Sequence, residues 1–215
     1  MKKFILFIAL LLPILTIAQG KNDPAAKTIL DGVSNKFKTY TTVDATFSYK
    51  VENAAGKALS NKSGAIKLKG TKYRVSFNGQ EIFCDGKTVW NYDKVANEVT
   101  ISKVESGSGT ITPQKLFTNF YDKDFLYILT GEKKVAGKTI QEIEMTPTDK
   151  SKPFHKVYVQ VDKAAKTIYS TKVLENAGNR YTYTVSTMKT NKTIADAEFV
   201  FNKSKYPGVE EVDLR

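Results

Sequence analysis

Very few side chains in this 215-residue chain are suited to chemistry: one cysteine, Cys84, and one histidine, His155. A thiol beside an imidazole makes a nucleophile–base pair, so covalent catalysis is the first reaction to consider. A single His and a single Cys cannot build a His/Cys metal cluster, and the carboxylates show no ligand spacing of their own. The acidic pairs Glu142/Glu144 and Glu210/Glu211 stand where charged, solvent-facing residues are expected. No Gly-rich phosphate loop joins a strand to a helix, and neither Gly-x-Ser-x-Gly nor His-Glu-x-x-His occurs. The plainer reading of Cys84 is a small strand residue beside a turn; that of His155 is an exposed residue opening a strand. No reaction is proposed by these residues, no cofactor or metal is called for, and an enzyme is not expected.

What the chain has in quantity is apolar surface: 12 Phe, 11 Tyr and a single Trp, Trp90. Asp23-Pro24 opens a helix, with Asp as N-cap and Pro at the first position. Ala26, Ile29, Leu30, Val33 and Phe37 follow at helical spacing up to about Tyr40. From there most of the chain alternates with the period of a strand that has one apolar face. Val43, Ala45, Phe47, Tyr49 and Val51 share a face, as do Ile66 with Leu68 and Tyr73 with Val75 and Phe77. Val157, Val159 and Val161 repeat the pattern, and Tyr181, Tyr183 and Val185 close it. Asn78-Gly79, Asp85-Gly86, Ala136-Gly137 and Ala177-Gly178-Asn179 supply turns between such runs.

A second helical segment is expected after Thr112-Pro113, carrying Leu116, Phe117, Phe120, Phe125, Ile128 and Leu129 as its apolar face. It is either one helix or a pair broken near Asp122-Lys123-Asp124, and Gly131 ends it. The fold class is mainly β (α+β): a single curled antiparallel sheet of about 11 strands forming an unclosed half-barrel, covered by two or three α-helices as a lid. A strongly curled sheet under so few helices has more apolar area than they fill, which suits an apolar ligand.

The first eighteen residues read as a secretory signal: Lys2 and Lys3, an apolar run from Phe4 to Ile17, and Ala18 as the small residue at the cleavage point. Gln19 stands where a lipid-anchored protein would need Cys. Residues 19–215 are then expected to form one exported, soluble domain, held by its core, because one Cys forms no intrachain disulfide. The formal charge is +11, with two charges fewer once Lys2 and Lys3 are removed. Scattered lysines and export argue against a nucleic-acid partner and leave an anionic membrane surface, an acidic protein or a plain solvated surface.

The stretch CDGKTVWNYDKVANEVTI, with Asp85, Gly86, Trp90, Tyr92, Val99 and Thr100, resembles the signature of LolA-type periplasmic carriers of outer-membrane lipoproteins. The agreement runs in order through VSNKFKTY, ATFSYKV, GAIKLKG before YRVSF, the Pro-initiated central helix and the closing AEFVFNKSKYPGVEEVD. The resemblance implies an unclosed β-barrel whose helical lid covers an apolar cavity. It also implies a non-enzymatic role: receiving acylated lipoproteins from an inner-membrane ABC-transporter complex and delivering them to an outer-membrane acceptor, as a monomer. By position, the acyl-chain lining is Phe47, Tyr49, Tyr73, Val75, Phe77, Ile82, Val157 and Val159, and the lid's apolar side is Leu116, Phe117 and Phe120. Members of the family often carry an Arg-Pro that holds the lid where Gly70-Thr71 stands here; Lys69, Lys72 and Arg74 are the nearby substitutes. The competing readings are a same-fold envelope module that binds another apolar ligand or senses stress, and an enzyme using the cavity.

Overall fold

The computed structural model describes residues 22–104 and 121–215. Helix α1 (Pro24–Lys38) forms where the capping signal places it: the Asp23 carboxylate accepts the Ala25 amide at 2.8 Å. Six strands follow it: β1 (Thr42–Glu52), β2 (Ala58–Lys69), β3 (Lys72–Phe77), β4 (Gln80–Cys84), β5 (Thr88–Asp93) and β6 (Glu98–Lys103). A single helical turn, α2 (Tyr121–Asp124), leads directly into β7 (Phe125–Val135). The meander continues through β8 (Lys138–Pro147), β9 (Phe154–Asp162), β10 (Thr167–Glu175) and β11 (Arg180–Thr190). Two 3-10 turns, Asp196–Phe199 and Lys203–Lys205, precede the short β12 (Glu210–Asp213). No helix among these residues is long and apolar enough to cross a membrane.

All the strands lie in one 12-stranded, unclosed sheet, in the order β12-β6-β5-β4-β3-β2-β1-β11-β10-β9-β8-β7. Neighbours pair antiparallel except β12, which runs parallel to β6. The hairpin turns follow the sequence signals. Asn78 and Gly79, for example, both take positive φ (54° and 82°), the geometry a two-residue turn between twisted strands requires.

The sheet has 12 strands against the expected 11 or so, and the described residues hold two α-helices, one of them a single turn. Leu116, Phe117 and Phe120 lie outside the described residues, as do residues 1–21. The helical reading of Phe125, Ile128 and Leu129 is overturned, because they belong to strand β7. A short, continuously apolar run fits either period, and here the sheet decides. Phe125 and Tyr127 are buried, while Leu126 and Ile128 point the other way and are 43% and 49% exposed. Pairing with β8 satisfies one side of the β7 backbone. On the other side, Asn22 Oδ1 accepts the Tyr127 amide and Asp23 Oδ2 accepts the Leu129 amide, each at 3.0 Å. The Asp23 amide in turn donates to the Tyr127 carbonyl at 3.0 Å. The start of α1 thus covers part of an edge strand that would otherwise offer free hydrogen-bonding groups.

The register divides the sheet into two faces. On the inner face, α1 lays Ala26, Leu30 and Val33 over Tyr127, Ile143, Met145, Val157, Val159 and Val161. At its last turn and just beyond, Phe37 and Tyr40 pack over Val43, Ala45, Leu68 and Tyr73. On the outer face, the C-terminal segment presses Phe201, Tyr206 and Val209 against Phe83, Trp90, Tyr92 and Val99.

Candidate functional site: the half-covered inner face

Cross-strand pairing shows where each lining residue sits. Phe47 faces Gly64, which faces Phe77; Tyr73, Val75 and Phe77 face Cys84, Ile82 and Gln80 in turn. On the other side of β1, Phe47 pairs with Val185 and Tyr49 with Tyr183, with a bulge between Thr46 and Phe47. Thr171 and Val173 then connect Tyr183 and Tyr181 to Val159 and Val157. Directly paired residues share a face, so all eight predicted lining residues stand on the inner face of the one sheet.

Their surroundings divide them. Val157 and Val159 are buried beneath α1, and Tyr73 is packed into the cluster at the end of that helix. Phe47, Tyr49, Val75, Phe77 and Ile82 are only half-buried. Between them and β11 lies an aromatic floor. Phe47 and Phe77 stand 5.8 Å apart, Tyr49 meets Phe77 edge-on at 5.0 Å, and Tyr49 meets Tyr183 at 4.8 Å. Tyr181 stacks on Tyr49 at 5.9 Å, and Tyr183 remains 39% exposed. Such ring pairs give a stiff apolar surface with little side-chain freedom left to lose. Gly64 makes the floor possible, because a Cβ there would collide with the Phe47 ring lying across it. The cleft between the end of α1 and β1–β2, lined by Phe37, Tyr40, Val43 and Leu68, holds only about 130 Å³. That is well below the roughly 300–1,000 Å³ of ordinary ligand pockets, so the open floor is the better candidate.

Tyr181 and Tyr183 were visible in the sequence as an alternating pair, but not as part of the site. Their membership depends on β11 pairing with β1, a contact far apart along the chain that periodicity does not reveal. Trp90 and Tyr92 do share a face, but it is the outer one, under the C-terminal segment.

The three cations near Gly70-Thr71 are also committed to the outer side. Lys69 and Lys72 hold Asp196 at 2.8 and 2.7 Å, and their ammonium groups pull its carboxyl pKa down to about 2. Arg74 reaches Glu81 at 2.7 Å and Glu198 at 3.3 Å, with its guanidinium 4.7 Å from the centre of the Phe83 ring. Lys67 completes the set on Glu198 at 2.7 Å. These pairs fasten the C-terminal segment to the back of the sheet.

Cys84 and His155 do not meet. They lie on β4 and β9, with five strands between them. Cys84 is buried opposite Tyr73, and burial pushes its thiol pKa up, away from the reactive thiolate. Its sulfur accepts the Gly86 amide at 3.4 Å within the Asp85-Gly86 turn, where Asp85 Oδ1 accepts the Lys87 and Thr88 amides, each at 2.8 Å.

Comparison with known proteins agrees with this architecture. An outer-membrane lipoprotein carrier protein of Histophilus somni (strain 129Pt) is 26% identical over 219 residues, covering 100% of this chain and 99% of its own. The crystal structure of an uncharacterized conserved protein from Thermus thermophilus superposes with a TM-score of 0.60 at 17% identity, covering 88% of this chain and 99% of the other. A chain of the Pseudomonas aeruginosa MucA/MucB complex does so at 0.51 and 15% identity, covering 83% of this chain and 61% of the other. At those identities the two structures speak for the fold alone. The model of the outer membrane lipoprotein carrier protein LolA matches residues 38–202, from the end of α1 to just past Phe201, and by that match the chain belongs to the LolA family.

Proposed function

We propose that this protein carries acylated lipoproteins across the periplasm, with their hydrocarbon chains against the inner-face floor. The supporting observation is the half-buried apolar surface of Phe47, Tyr49, Val75, Phe77 and Ile82 beside a face that α1 otherwise seals. Each methylene withdrawn from water is worth about 0.8 kcal/mol, so acyl chains need a shield on an aqueous crossing. A surface left partly open shields them while still allowing release. The carrier makes and breaks no bond.

In this reading, residues 1–18 are a signal removed near Ala18, and residues 19–215 act as one carrier domain. Leu116, Phe117 and Phe120 belong to a lid. The partners are an inner-membrane lipoprotein-releasing ABC transporter and an outer-membrane acceptor. Lys69, Lys72 and Arg74 pair with Asp196, Glu81 and Glu198 on the outer face of the sheet.

The test is competition for an apolar fluorescent probe bound to the mature chain. A triacylated lipopeptide is expected to displace it, and the same peptide without acyl chains is not. Equal displacement by both would sink the carrier reading.

A further inference from the structure

One end of the floor is not purely apolar. Tyr49, Tyr181 and Tyr183 gather where β1 and β11 pair, next to the β10–β11 turn, and bring three hydroxyls to a surface otherwise made of hydrocarbon. The Tyr181 hydroxyl donates to Glu175 Oε2 at 3.0 Å, which occupies the nearby carboxylate. The Tyr49 hydroxyl interacts with that of Tyr183. In that pair the Tyr49 O–H donates and the Tyr183 oxygen accepts, which leaves the Tyr183 O–H for a ligand. Lys62, paired with Tyr49 from β2, sends its ammonium group to Asn78 Oδ1 in the β3–β4 turn, away from this corner. Burial, the other two phenols and Glu175 push the Tyr49 pKa up to about 12, so this phenol stays a neutral donor at physiological pH.

The corner therefore offers a ligand one O–H donor, that of Tyr183, because the Tyr181 O–H is given to Glu175 and the Tyr49 O–H to Tyr183. A complementary ligand group carries an acceptor, and it must sit at the head of a hydrocarbon chain, because the corner is continuous with Phe47 and Phe77. We propose that the Tyr49–Tyr181–Tyr183 corner seats an ester carbonyl that joins an acyl chain of the cargo to its glyceryl head, while Phe47 and Phe77 take the chains themselves. This rests on the carrier reading and fixes the orientation of the lipid within it: head at the β10–β11 turn, chains toward β3 and β4. A free fatty acid presents the same acceptor chemistry as a carboxylate, so the experiment separates the two sources.

The mature chain is titrated calorimetrically with a diacylglyceryl lipopeptide, with its ether-linked analogue of equal chain length, and with palmitate. The ester-linked form is expected to bind roughly threefold to tenfold more tightly than the ether, the equivalent of one ordinary hydrogen bond. The double variant Tyr49→Phe/Tyr183→Phe is expected to bind the two at equal affinity. Tyr206→Phe, on the outer face, is expected to keep the preference. Equal binding of ester and ether by the unmodified chain overturns the assignment, as does a preference that survives the double variant. Palmitate competing as well as the ester-linked form overturns the restriction to esterified chains. Binding of neither lipopeptide overturns the carrier reading itself and differs visibly from binding without preference.

Discussion

The double variant Phe47→Ala/Phe77→Ala is expected to weaken binding of a triacylated lipopeptide about tenfold to a hundredfold. Both rings are half-buried in the free protein, so part of each is still in contact with water and is covered only when a chain lies on it. Covering a whole Phe side chain is worth about 1.5–3 kcal/mol. The exposed halves of two rings then amount to roughly 1.5–3 kcal/mol together, which gives that range in affinity. Phe77 also props Tyr49 edge-on at 5.0 Å, so its loss loosens the neighbouring ring as well. Equilibrium titration of the lipopeptide checks this, with circular dichroism to show that the sheet persists. Unchanged affinity in a folded double variant would remove these rings from the binding surface.

The second large effect concerns the scaffold. Leu30→Ala in α1 is expected to destabilise the protein by about 2–5 kcal/mol, because it leaves a hole between the helix and β7–β10. For a chain of this size that corresponds to a fall of about 4–20 °C in melting temperature. Leu59→Ala is the same chemical change on a side chain 58% exposed, and it should move the melting temperature by about 2 °C or less. Thermal unfolding of the two variants side by side measures the contrast. Similar small shifts in both would mean that α1 is not held by its apolar stripe.

These two outcomes rest on parts of the molecule that were unequally legible in the sequence. Helix α1 was readable because its signals are local: a capping Asp, a first-turn Pro and a stripe at 3.6-residue spacing. The strands of the meander were readable from their period of two and their Asn-Gly and Asp-Gly turns. The missed strands fail for identifiable reasons. The run from Phe125 to Leu129 is apolar at every position, so its period is undefined until β8 and Asn22-Asp23 claim its backbone. Strand β12 is four residues long and forms only because β6 presents a free edge to it.

The residues read as lining share one face of the sheet because alternation fixes facing within a strand. Alternation does not tell how deeply each is covered. Val157 and Val159 lie under α1, whereas Phe47 and Phe77 do not, and that difference depends on where the helix crosses the sheet. Around β4 and β5 both faces are apolar, since the C-terminal segment covers Phe83, Trp90 and Tyr92 from behind. Trp90 and Tyr92 therefore anchor the back of the sheet and do not line its floor.

The most direct measurement is photo-crosslinking in cells that produce acylated lipoproteins. A photoreactive phenylalanine is placed at Tyr183 on the exposed part of the floor, and separately at Tyr158, whose strand neighbours Val157 and Val159 face inward while it faces out. The expected result is a lipoprotein adduct from position 183 that disappears when lipoprotein acylation is blocked, with none from position 158. Adducts from position 158 alone, or adducts at 183 that persist without acylation, would contradict the assignment of the inner face to acyl chains.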